Sequence, residues 1–199
     1  MSVNKTEKTM IGVEGHITIW DPESGEILTK RRNAVNFENM SVALANLLAN
    51  EVGSTGSHHI ATMRFGNGGT TIDGTGNVTY KATNTSITTG TLYNQTYSQS
   101  VDETVSGSAT NGTEVSHTNG ELYSDAVVTC TLDYNVPVGQ DTLDDSTNMN
   151  GDYVFDELGL FTANDNMLTH VVFHPVQKSA NRKIQVIYTV RIRTSYSEV

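Results

Sequence analysis

A chain of 199 residues with 22 acidic against 12 basic side chains, net charge −10, repels phosphate backbones, so nucleic acid is not an expected partner. That length fits one domain and buries roughly 70% of the surface exposed on unfolding, enough for a real core. Only 36% of residues are hydrophobic and 17% charged, so Thr, Ser, Asn and Gly favour strands and turns, and the single Cys130 excludes an intrachain disulfide or a two-thiolate zinc site.

The polar opening MSVNKTEKTM holds no apolar run of secretory length, and no stretch approaches a transmembrane span. The expectation is a soluble protein made in a reducing cytoplasm, with no membrane partner. Next, MIGVEGHITIW places Ile11, Val13, Gly15, Ile17 and Ile19 on one face of a strand. DPESGE turns the chain through Pro22 and Gly25, and Ile27 with Leu28 begin the return strand.

Residues 36–51 alone carry a helical period, with Met40, Ala43, Leu44, Leu47 and Leu48 at three- and four-residue steps. Asn36 suits the N-cap, Glu38 the first turn, and Gly53 the end. A strand from Ile60 to Phe65 then runs into the loop GNGGTT. That loop lacks the Lys and following helix of a phosphate cradle, and Thr71 stands where a dinucleotide fingerprint needs glycine, so it reads as a flexible or tight loop.

Residues 74–148 form a long polar stretch with weak alternation around Tyr80, Ile87, Leu92, Tyr93 and Tyr97, read as inserted strands and loops. Its strongest element is AVVTCTLDYNV, a half-buried strand with Ala126, Val128, Cys130, Leu132, Tyr134 and Val136 on one face. Three strands close the chain: Phe155 to Phe161, Leu168 to Phe173 after the turn TANDN, and KIQVIYTVRIR with Ile184, Val186, Tyr188, Val190 and Ile192 on one face and Gln185, Thr189, Arg191 and Arg193 on the other. The fold expected is mainly β, an antiparallel sandwich or helix-backed sheet, with 1–73 and 149–199 together forming a core around one helix and 74–148 inserted into it.

The groups that could carry chemistry do not converge. STNMNGDYVFDE sets Asn148, Asn150, Gly151 and Glu157 at the third, fifth, sixth and twelfth places of a calcium loop, but Ser146 holds the first place and the flanks read as β. Asp141, Asp144 and Asp145 read as a solvated acidic loop. Adjacent His58 and His59 point to opposite faces of an extended chain, and His170 and His174 lie about 13 Å apart along a strand. With no nucleophile motif, no enzyme activity, metal or cofactor is expected. The basic groups Lys30, Arg31, Arg32 and Lys178, Arg182, Lys183, Arg191, Arg193 read as solvated charge or as a patch meeting an acidic neighbour.

YVFDELGLFTANDNMLTHVVFHPVQKSANRKIQVIYTVRIR resembles structural proteins of tailed bacteriophages, especially fibre-attachment, baseplate and collar proteins. There a strand with an acidic residue and a Gly-Leu step precedes a turn, a strand, a proline followed by lysine, and a closing strand. The matching positions are Phe155, Glu157, Leu158, Gly159, Leu160, Phe161, Pro175 and Lys178. The N-terminal hairpin, Asn-rich turn and helix look similar to phage virion proteins as well.

The resemblance implies a non-enzymatic virion protein of the tail, neck or collar, or baseplate, made in the host cytoplasm and partnered by itself and by other virion proteins. It also implies structural roles: Glu157 pairs with Lys178 or with a backbone amide in the turn, and Gly159 lets strands pack closely. A capsid-decoration or carbohydrate-binding β-sandwich is the alternative, and a metal-dependent hydrolase a third class.

Overall fold

A computed structural model describes residues 7–51, 57–86, 90–102, 110–140 and 151–198. Two five-stranded antiparallel sheets pack face to face. In chain order the elements are β1 (Glu7–Trp20), β2 (Ile27–Arg32), β3 (Ala34–Val35), α1 (Phe37–Ala49), β4 (Ile60–Gly66), β5 (Thr70–Ile72) and β6 (Val78–Tyr80). There follow β7 (Gln95–Ser100), β8 (Asn111–Ser116), β9 (Tyr123–Leu132), β10 (Val154–Thr162), β11 (Met167–Gln177) and β12 (Ile184–Glu198). The first sheet runs β2-β1-β12-β9-β8 and the second β3-β11-β10-β4-β7, with β5 and β6 as a separate hairpin. The architecture is a β-sandwich with one helix among the described residues.

Period-two alternation explains the core. Ile17 and Ile19 of β1, Val128, Cys130 and Leu132 of β9, and Ile184, Val186, Tyr188 and Val190 of β12 all point inward from the first sheet. They meet Met63, Phe65, Phe155, Leu158, Leu160, Val171 and Phe173 from the second. Fully burying side chains of this kind stabilises by about 1.5–3 kcal/mol each, before chain entropy is set against it. Ile11, expected on the same inward face, is 61% exposed, because β1 runs on past the sandwich with only β12 beside it.

The first hairpin turns as its sequence dictates: the Asp21 carboxylate accepts from the Glu23 and Ser24 amides, and Gly25 takes φ 74°. Asn36 caps α1, its side chain accepting from Asn39 N at 3.1 Å, and Met40 and Ala43 join the core. Asn50, in the left-handed region at φ 53°, ends the helix, earlier than the expected Gly53, which lies outside the described residues, as does Ile87.

Strands from the polar 74–148 stretch take places in both sheets. β7 pairs with β4, while β9 lies between β12 and β8, so its apolar alternation serves the common core. The C-terminal hairpin β10–β11 supplies the second sheet's centre. All nine residues of β10 are buried, because both faces of that sheet are covered.

Candidate functional site

One face of β10 packs into the sandwich; the other lies beneath residues 66–86 and 90–94. That covering segment comprises the glycine loop, the β5–β6 hairpin and the chain leading to β7. Its Leu92 packs on Phe161 and Met167 in a small apolar cluster of its own. Asp156 and Glu157 point into this layer, 3% and 0% exposed. A ladder irregularity between Phe155 and Glu157 lets Phe155 reach the core, 4.9 Å from the Phe65 ring, while the carboxylates turn the other way.

Each carboxylate holds backbone. Asp156 accepts from Gly69 N at 2.8 Å, Thr70 N at 2.7 Å and the Thr70 hydroxyl at 2.5 Å. Glu157 accepts from Gly68 N at 3.2 Å, Tyr93 N at 2.9 Å and Asn94 N at 2.8 Å. Its fourth bond joins Oε2 to His170 Nε2 at 3.0 Å, both side chains being fully buried. Asn84 N donates to His170 Nδ1 at 2.7 Å, so Nδ1 carries a lone pair and the proton sits on Nε2, directed at Glu157. The GNGG loop is therefore an anion cradle after all, but its anions are the protein's own carboxylates.

Burial pushes the Glu157 carboxyl up, yet the bonds from His170, Asn94 N and Tyr93 N together outweigh it and hold the group below the ordinary range. For Asp156 burial wins over the Thr70 and Gly69 donors, the Glu157 charge adds to it, and the group is raised. With four donors on Glu157 and three on Asp156, little lone-pair capacity is left for a substrate or ion. Glu157 in particular is committed elsewhere than to a calcium loop; Asp141, Asp144, Asp145, Ser146, Asn148 and Asn150 lie outside the described residues.

Glycine is required where this layer closes. A Cβ on Gly159 would sit 2.6 Å from the Thr169 carbonyl oxygen, and one on Gly66 would sit 2.4 Å from the Asn94 carbonyl and 2.6 Å from the Glu157 carboxylate. Pro175, buried in β11, falls where the ladder skips from Val172 to Val176, a break that needs no amide donor.

The expected choice between Lys178 and a backbone amide resolves to amides, with His170 added. Lys178 N bonds Tyr153 O at 2.9 Å, which sets Lys178 level with Tyr153, four residues or about 13 Å along the strand from Glu157. Its buried ammonium instead donates to Gln140 Oε1 at 3.1 Å and to the Ser179 carbonyl at 2.8 Å.

The other histidines stand apart. His174 is exposed, with Nδ1 3.3 Å from the Tyr80 hydroxyl, on the same outward face of β11 as His170, since Val171 and Phe173 between them point into the core. His58 and His59 border an apolar cavity of about 350 Å³ between α1 and the sheets, lined by Met40, Leu44, Leu47, Ile60 and Val190 among others. His59 lies 4.0 Å from Asp102 across its rim. Among the described residues no three His, Cys, Asp or Glu side chains gather as a metal site. Burial pushes the Cys130 thiol far up.

Sequence reasoning missed His170 as Glu157's partner. The signal was available: a hairpin turn at TANDN sets Gly159 opposite His170, one diagonal step from Glu157. No protein-family model, curated protein or solved structure matches the chain.

Proposed function

We propose that the chain is a non-enzymatic structural protein of a tailed-bacteriophage particle, in the tail, neck or baseplate, acting by self-association and by docking onto neighbouring virion proteins. One observation carries the reading. The acidic residue and glycine of the motif that resembles phage structural proteins are used here for construction: Glu157 fastens the covering segment to the sheet, and Gly159 lets β11 approach β10. Where acid–base chemistry needs a reachable carboxylate or imidazole, this motif offers groups whose hydrogen bonds are already satisfied.

Mass spectrometry of purified particles of the phage that encodes the chain tests this directly. The protein should be present in stoichiometric copies and resist high-salt washing. Its presence in infected cells and absence from particles would overturn the reading. Glycan binding by the isolated chain would replace it with a carbohydrate-binding module.

A further inference from the structure

Among the described residues no segment covers the outer face of the first sheet, and its strand order gives it a symmetry. β12 is central, β1 and β9 flank it, and β2 and β8 form the edges. Cross-strand register lays the outward side chains in level rows. Lys30, Thr18, Ile187, Thr129 and Gly112 make one row. The next runs Arg32, His16, Thr189, Val127, Glu114, from a basic edge to an acidic one. Trp20, Ile187 and Val127 are partly exposed, apolar patches on this surface with none of the described residues lying above them.

The two edges are complementary in charge. Arg32 is 78% exposed, and its nearest carboxylate, Glu14 at 4.0 Å, already binds Arg193 at 2.9 Å. Glu114 is exposed and has no ion-pair partner among the described residues. A two-fold axis along β12 exchanges the β2 edge of one copy with the β8 edge of another while keeping each row level. Arg32 then faces Glu114 of the second copy, twice per dimer, and Ile187 meets its own counterpart near the axis.

We infer that this face is the self-association surface, occupied by a second copy of the chain in an isologous, sheet-on-sheet contact. Five strands spaced about 4.8 Å apart and four side-chain rows repeating every about 6.8 Å cover about 600 Å² per copy. The total of about 1,200 Å² reaches the lower end of stable interfaces. Toward the other end of the face the charges enter as formed pairs, since Asp125 binds Arg191 through two bonds of 2.7 Å and Glu14 binds Arg193, while exposed Lys30 sits on the edge strand, at the rim where its ammonium keeps its water. The inference rests on the proposed function for its biological purpose and adds the surface and the symmetry.

Sedimentation velocity on the full chain between about 1 and 100 µM should show a monomer–dimer equilibrium. Trp20, the sole tryptophan, should shift its emission to the blue as dimer forms. R32E and E114R should each weaken the dimer at least about tenfold, and the double variant should restore it, because the reversed charges again face each other. A folding defect would not be rescued in this way. A wild-type chain that stays monomeric, or an oligomer indifferent to the swap, overturns the surface. Particle content is measured separately: a monomer still found in particles removes this surface and spares the proposed function, whereas a swap-sensitive dimer absent from particles does the reverse.

Discussion

On the second sheet, the β10 side chains directed away from the core are sealed beneath residues 66–86 and 90–94; on the first, none of the described residues covers the equivalent positions. Both faces carry charge, handled in opposite ways. Asp156 and Glu157 are withdrawn from water, at a desolvation penalty of several kcal/mol each, and recover it through fixed amide, hydroxyl and imidazole donors. Asp125 and Arg191 keep part of their hydration and hold each other. The difference teaches what each charge is for: buried carboxylates fasten a chain segment that has few apolar residues of its own, while open pairs order a surface and leave it free to meet another.

Removing the covered carboxylate should have the largest effect. Glu157→Ala leaves three backbone amides and the His170 ring unsatisfied under the covering segment and should destabilise by about 3–5 kcal/mol in urea unfolding. An unchanged melting temperature would sink the structural role. Amide exchange at Asn84, Tyr93 and Asn94 should rise in the same variant, since the clamp on that segment is lost. Gly159→Ala tests the closeness of the strands instead. Its Cβ would press on the Thr169 carbonyl at 2.6 Å, so β10 and β11 must part, at a cost of about 1–3 kcal/mol by the same measurement.

These effects also mark where the sequence was readable. Alternation located β1, β4, β9 and β12 with their inward faces, and the 3.6-residue period with Asn36 located α1, because each is a local pattern dictated by one buried face. β10 shows why a carboxylate pair in an apolar run is ambiguous: period two puts Asp156 and Glu157 on opposite faces, and only the irregular ladder beside them, together with a second covering layer, places both in one network. The donors from Gly68, Tyr93 and Asn94 are backbone groups brought from distant parts of the chain, and no residue type announces them. The packing role of Gly159 came from the resemblance, and the Thr169 carbonyl 2.6 Å from where its Cβ would stand gives the physical reason.

Acid titration sharpens the contrast within the covered pair. Glu157 is lowered in the folded chain, so its stabilisation is complete above the ordinary carboxylate range and disappears as pH falls through the lowered value. Asp156 is raised, so the sign reverses: the folded state is favoured below the ordinary range, and that contribution is lost as pH rises through the raised value. In urea unfolding across a pH series, Glu157→Gln should flatten the loss at low pH, and Asp156→Asn should abolish the gain on mild acidification. Identical pH profiles for Glu157→Gln and the wild type would show that the carboxylate is not held ionised by its donors.

The smallest effect belongs to the open face. Hydrogen bonds from Arg191 hold the Asp125 carboxyl low against a modest opposing effect of burial, and the guanidinium also lies 3.9 Å from the centre of the Tyr123 ring. With 29% of the Arg191 side chain and 14% of Asp125 exposed, solvent screens the pair, so Asp125→Asn should cost about 0.5–1 kcal/mol. That cost should shrink as salt is raised to about 1 M, where the screening length falls to about 3 Å. The loss from Glu157→Ala should hardly respond to salt, since its partners are dipoles in a dry layer rather than an exposed ion. Equal salt sensitivity in the two variants would mean that water reaches the covered carboxylates, and the distinction between a sealed face and an open one would fail.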